Sequence, residues 1–236
     1  MSILDNIGNN LDKQFENFNY LPQKLALEDL DQGVNDFIQD LKITVDNENG
    51  NKKQVPIIYL SQELWAEKKG NWSNMRNENG EEITRPFMAL KRTSVKQGTS
   101  PLKRSIPVRK KFAFVKVPKF DGTLKGYDLY KIPQPTYVDC DYELVFVTHY
   151  MEDVNVFYES IIRKGFTNLQ GYMKINGYDI SARISDPSEN NTIDQIDSER
   201  LMQISIPIQV FGKLVDPTEF EKVNTITKIA IKISEG

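Results

Sequence analysis

Between residues 138 and 148 the chain alternates. Val138, Cys140, Tyr142, Leu144 and Phe146 are separated by Asp139, Asp141 and Glu143 before the run turns wholly apolar. A period of two sends one set of side chains to a core and the other toward water, the pattern of a β-strand buried on one face. Val154, Phe157, Tyr158, Ile161 and Ile162 follow at helical spacing, and Gly165 is read as the left-handed residue that ends the helix. A strand leading directly into an amphipathic helix constrains the fold, because the apolar stripe of the helix needs a sheet to cover.

The same periodicities extend the pattern in both directions. Leu30, Val34, Phe37, Ile38 and Leu41 form one apolar face and predict a helix over residues 25–41. Asn49-Gly50 predicts a turn joining strands at 42–45 and 55–60. Ser61, Glu63 and Leu64 suggest the capped start of a short helix ending near Gly70, and residues 85–94 return to a strand pattern. Asn176-Gly177 between apolar-rich stretches at 172–175 and 178–184 is a hairpin signature. Residues 185–199 are loop-like, Met202 to Val210 alternate, and a last strand is expected over 225–234. Residues 1–24 have no period and are read as an N-terminal arm. The expected fold is α+β: one domain over residues 25–236 with a mixed or largely antiparallel sheet, two or three helices and a projecting β-hairpin arm.

Charge is distributed unevenly. Residues 91–119 hold ten Lys or Arg and no Asp or Glu, so in a chain of net charge −3 the remaining residues sum to −13. Within this stretch Phe112 to Lys119, Asp121-Gly122 and Thr123 to Tyr130 predict a hairpin, giving a basic insertion at about 95–131. Pro107, Pro118, Pro133 and Pro135 bracket it, which puts its strands at sheet edges. An edge needs covering, and a neighbouring subunit would cover it; a solvated basic loop is the plainer alternative.

Chemistry-bearing residues are sparse. His149 is the one imidazole, at the strand-to-helix junction, where a loop or packing role is the commoner one. Cys140 lies in the alternating strand as a small core side chain and leaves no internal disulfide, which suits assembly in a reducing cytoplasm. Asp139, Asp141 and Glu143 share a strand face, which raises a cation site, but carboxylates on a wet face equally meet basic partners. No glycine loop opens a helix at nucleotide-binding spacing. No apolar run nears the roughly 20 residues of a membrane span, and no signal peptide is expected. No cofactor, metal site or catalytic set is predicted.

Two segments carry a resemblance. Val55-Pro56-Ile57-Ile58-Tyr59 with Ser61, Glu63 and Trp72 resembles the start of tail terminator proteins from contractile-tailed phages. Pro133, Pro135 and Tyr142-Glu143-Leu144-Val145-Phe146-Val147-Thr148, followed by Tyr150 and Glu152-Asp153, are similar to that family's strand, aromatic-acidic junction and succeeding helix. Arg85-Pro86 with Leu90 resembles a proline-led strand between them. The resemblance covers residues 55–215 with gaps, and the first forty residues and the stretch 96–131 depart from it. Similar chains also serve as neck rings in short-tailed or crAss-like phages.

The resemblance implies a non-enzymatic virion protein, assembled in the host cytoplasm, that closes into a ring. The ring is hexameric in contractile tails, or twelvefold in a neck, and joins the connector to the tail beside other neck, connector and tail proteins. The expected subunit contacts are Lys103, Arg104, Arg109, Lys110, Lys111, Phe112 and Phe114 on the arm, reaching acids such as Asp139, Asp141 and Glu143. A DNA-binding virion protein is the alternative, in which the same five cations meet phosphate of the genome in transit. An enzyme using His149 with Asp139 or Asp141 ranks third.

Overall fold

The computed structural model describes residues 20–46, 52–61, 85–98, 112–120, 124–186, 195–196, 199–200 and 202–223. In chain order the elements are α1 (Leu27–Asp40), β1 (Thr44–Asp46), β2 (Lys52–Gln54), β3 (Ile57–Tyr59), β4 (Phe87–Gln97), β5 (Phe112–Phe120), β6 (Leu124–Pro133), β7 (Thr136–Thr148), α2 (Met151–Ser160), β8 (Gln170–Ile175), β9 (Tyr178–Ile184), β10 (Gln195–Ile196), β11 (Glu199–Arg200), β12 (Met202–Leu214) and β13 (Glu221–Val223). The turns expected at Asn49-Gly50 and Asp121-Gly122, the body of the helix expected to end near Gly70, Trp72 and the strand expected at 225–234 lie outside the described residues, as does the arm before Tyr20.

The chain divides into two compact units, Leu25–Arg104 with Thr136–Leu214, and Met1–Lys24 with Ser105–Pro135 and Val215–Gly236. The first is the α+β body. Its six-stranded sheet has the order β3-β4-β7-β12-β9-β8. Every pairing is antiparallel except β3 with β4, so the sheet is mixed and largely antiparallel.

Alternation decides which face of β7 the helices cover. Val138, Cys140, Tyr142, Leu144 and Phe146 are buried, and β12 sets Ile204, Ile206, Ile208 and Val210 beside them on the same side. Phe146 stacks on Phe157 of α2 with ring centroids 4.4 Å apart. Helix α1 buries Leu30, Val34 and Ile38. It reaches both β3 and β8, the two edges of the sheet. Six flat strands would separate those edges by about 24 Å at the usual spacing, so the sheet curls around the helix. Gly33 permits the approach on one side: a Cβ there would lie 2.3 Å from Cδ1 of Ile175.

The junction between β7 and α2 is held by side chains. Thr148 Oγ donates to Asp153 at 2.6 Å in a buried hydrogen bond and accepts from the Tyr150 N–H at 3.4 Å. Asp153 and Glu152 occupy the first turn, where the positive end of the helix dipole favours acids. The helix continues as a π-helical turn, Ile161–Gly165, closed by the Phe166 N–H on the Ile161 carbonyl. Gly165 is not left-handed as expected; the positive φ values fall later, at Asn168 and Leu169. Its missing side chain instead makes room for α1, since a Cβ would meet Leu41 at 3.0 Å.

The Asn176-Gly177 hairpin is as expected, with φ of 48° and 78°, the paired left-handed residues of a tight turn that follows strand twist. Helix α1 is unusual in charge: Glu28, Asp29, Asp31, Asp36 and Asp40 are its acids, and it has no Lys or Arg. Asp40 sits at the last helical position, where the negative end of the dipole opposes it by about 0.3–1 kcal/mol. Lys164 offsets part of this by donating to the Leu41 carbonyl at 3.2 Å.

The second unit is a three-stranded sheet of order β13-β6-β5. The predicted hairpin is present as β5 and β6, with a register shift after Lys119. It does not stand as an isolated pair, because Glu221 to Val223 of β13 line up with Lys131 to Leu129 of β6. Among the described residues no helix of either unit is long and apolar enough to cross a membrane.

Candidate functional site

Two surfaces bring together the residues that sequence reasoning singled out. The first is the row of acids on the outward face of β7. Lys91 Nζ lies 3.0 Å from Glu143, and Ser205 of β12 donates to the same carboxylate at 2.8 Å. Asp141 accepts from Lys96 and Ser94 of β4, each at 2.7 Å, and from Gln209 of β12 at 3.3 Å. Burial works against the Asp141 carboxylate, but the hydrogen bonds from Lys96 and Ser94, the Lys96 charge and the Gln209 amide outweigh it and hold its carboxyl below the usual range. Asp141 and Glu143 are thus neutralised within their own sheet by the start of the basic stretch.

A β-bulge makes this possible. Arg92 is opposite Tyr142, yet Ser94 is opposite Asp141, which leaves Thr93 as an extra residue. A one-residue insertion exchanges the faces of a strand. Lys91 and, after the bulge, Ser94 and Lys96 therefore share the acidic side, while Arg92 points to the helices. There Arg92 Nη1 contacts both carboxylate oxygens of Asp31 at 2.7 and 2.9 Å, and the Tyr142 hydroxyl donates to the same carboxylate at 2.8 Å.

This buried group was missed by the periodicity reading. The available signal was Asp31 itself, an acid three residues before Val34 and seven before Ile38 on the apolar side of α1. Burial and the Asp31 charge drive the Tyr142 hydroxyl far up, and push Tyr59 up to about 12. Cys140, fully buried beside them, has its thiol pushed up to about 11, chiefly by desolvation. A thiol in that state supplies almost no thiolate nucleophile near neutral pH.

His149 lies elsewhere. Its Nε2 is 3.0 Å from Arg85 Nη1, which requires a lone pair on that nitrogen and its proton on Nδ1. Asp141 is eight residues back along an extended strand, roughly 26 Å at the usual rise per residue. The imidazole and the acid row therefore cannot act on one reacting group. Among the described residues no three His, Cys, Asp or Glu are arranged to hold a metal ion.

The second surface is the hairpin of the small unit. Phe112 and Phe114 share a face of β5 with Lys116, and the register adds Tyr127, Leu129 and Lys131 of β6 to it. Phe112 is 44% exposed, Phe114 62% and Tyr127 50%. Lys131 sits over the Phe112 ring, 4.1 Å from its centroid, and pairs with Glu221 at 2.8 Å. On the opposite face Asp128 accepts from Lys222 at 2.6 Å and lies 3.5 Å from Lys119; the Lys222 hydrogen bond, together with both ammonium charges, outweighs desolvation and holds its carboxyl low. Lys103, Arg104, Arg109, Lys110 and Lys111 lie outside the described residues. No protein-family model matches the chain, and no curated protein is found to match it.

Proposed function

We propose that this protein is a structural subunit of a tailed-phage particle, assembling as a ring at the neck or tail end and joining the connector to the tail. The observation that carries the reading is the hairpin face: Phe112, Phe114 and Tyr127 sit together in water on a small sheet. Clustered exposed aromatics mark protein contacts, because such rings gain most when a partner removes them from solvent. The resemblance adds support, since its strand and aromatic-acidic junction fall on β7 and the acidic first turn of α2.

In this reading the protein is a part, made in the host cytoplasm and retained in the virion beside other neck and tail proteins, and it is not an enzyme. The test is the copy number per particle, by quantitative mass spectrometry of purified virions of the encoding phage. Six or twelve copies are expected. Absence from the particle, or one copy per particle, overturns the reading. Binding of the purified chain to duplex DNA with a steep loss of affinity on adding salt would favour the DNA-binding alternative.

A further inference from the structure

Resting on the ring reading above, we infer that the hairpin face of one copy docks on the outer stripe of α1 of a second copy. The hairpin face offers Phe112, Phe114, Lys116 and Tyr127, all exposed, with Lys131 over the Phe112 ring. Its complement has to be acidic, and a second copy supplies one. On α1, Glu28, Asp36 and Asp40 are exposed with Gln32 and Gln39 on a helix that has no Lys or Arg.

Two features set this stripe apart from the acids of β7 and from Asp31. Asp141 and Glu143 are already neutralised by Lys96 and Lys91, and Asp31 by Arg92. Asp40 stands at the helix end where the dipole disfavours an acid, so its placement does not serve the helix itself. Aromatic rings bordered by cations fit a surface of carboxylates and amides, with the rings excluding water around the ion pairs. Two different patches in contact make a head-to-tail interface, the kind that closes into rings.

The test uses full-length chains in sedimentation and native mass spectrometry. One variant carries Phe112→Thr and Phe114→Thr, exposed strand positions that threonine suits. The other carries Asp36→Lys and Asp40→Lys, of which the second agrees with the helix dipole and the first gives up one exposed hydrogen bond from Gln32, so both should fold as judged by circular dichroism. The wild type should self-associate and each variant should stay monomeric. An equimolar mixture should give a heterodimer and nothing larger, because one intact hairpin then meets one intact stripe.

Wild-type-sized oligomers from either variant overturn the contact, as does a mixture that stays monomeric. A wild type that is monomeric up to millimolar concentration also overturns it, while six or twelve copies in the particle would leave the ring reading standing. Loss of duplex DNA binding in the Phe variant without loss of self-association would assign the face to nucleic acid and overturn it too.

Discussion

The six-stranded body and the three-stranded unit place their phenylalanines in opposite ways. In the body, Phe87, Phe146, Phe157 and Phe166 are completely buried, and the exposed rings among the described residues are the tyrosines Tyr59, Tyr150 and Tyr172. Cations meet carboxylates of the same unit in both, Lys91, Arg92 and Lys96 in the body and Lys131 and Lys222 in the small sheet. In the small unit the rings of Phe112, Phe114 and Tyr127 face water, and one of its lysines stands over an exposed ring. The difference is one of size: three strands enclose too little volume to bury both faces, so one stays a surface. The body hides its phenylalanines in its own core, and the small sheet leaves two of its own in water.

The contrast breaks if the two regions respond alike to substitution. Phe146→Ala should lower the unfolding free energy by roughly 3–5 kcal/mol in a urea titration, since a stacked, buried ring leaves a cavity. Phe114→Thr should change it by no more than about 0.5 kcal/mol. Comparable losses would mean that the hairpin face is packed and not presented.

A smaller effect sharpens the account of the body. Asp31→Ala leaves a partly buried guanidinium and the Tyr142 hydroxyl without their acceptor, and should cost roughly 2–4 kcal/mol. Replacing all three members together, with Asp31→Leu, Arg92→Met and Tyr142→Phe, should recover most of the loss. A neutral Asp31→Ala would show that α1 is held by apolar packing alone.

The smallest effect is electrostatic. The Asp141 carboxyl titrates lower in the folded chain than in the unfolded one, so its stabilisation is complete above the unfolded value near pH 3.9 and is lost as pH falls through the folded value. Thermal unfolding of the wild type should therefore fall off below about pH 4, and Asp141→Asn should flatten that decline. At neutral pH the variant should lose no more than about 1 kcal/mol, as for a partly exposed pair.

Much of this architecture was legible because its causes are local. Asn176-Gly177 specifies its own turn, and the alternation in β7 and β12 reports burial residue by residue. What escaped depends on distant partners. Glu221 to Val223 is too short for any period and becomes a strand only by lying on β6, some ninety residues earlier. Gly165 looked like a helix terminator because the sequence cannot display Leu41 above it. Of the ten candidate contact residues, Asp139, Asp141 and Glu143 were correctly assigned to one face. Their partners on β4 were not foreseen, because a bulge leaves no compositional mark.

That bulge has a consequence for how β4 can vary. Thr93 acts as a parity switch in the strand: before it, even-numbered positions look toward the helices, and after it they look toward the carboxylates. Deleting this one residue would iron out the bulge and leave Ser94, Val95 and Lys96 opposite Asp141, Cys140 and Asp139 as they are. The strand thus carries one residue of slack against its neighbour, and losing the codon for Thr93 would leave the charge pairing of that face intact.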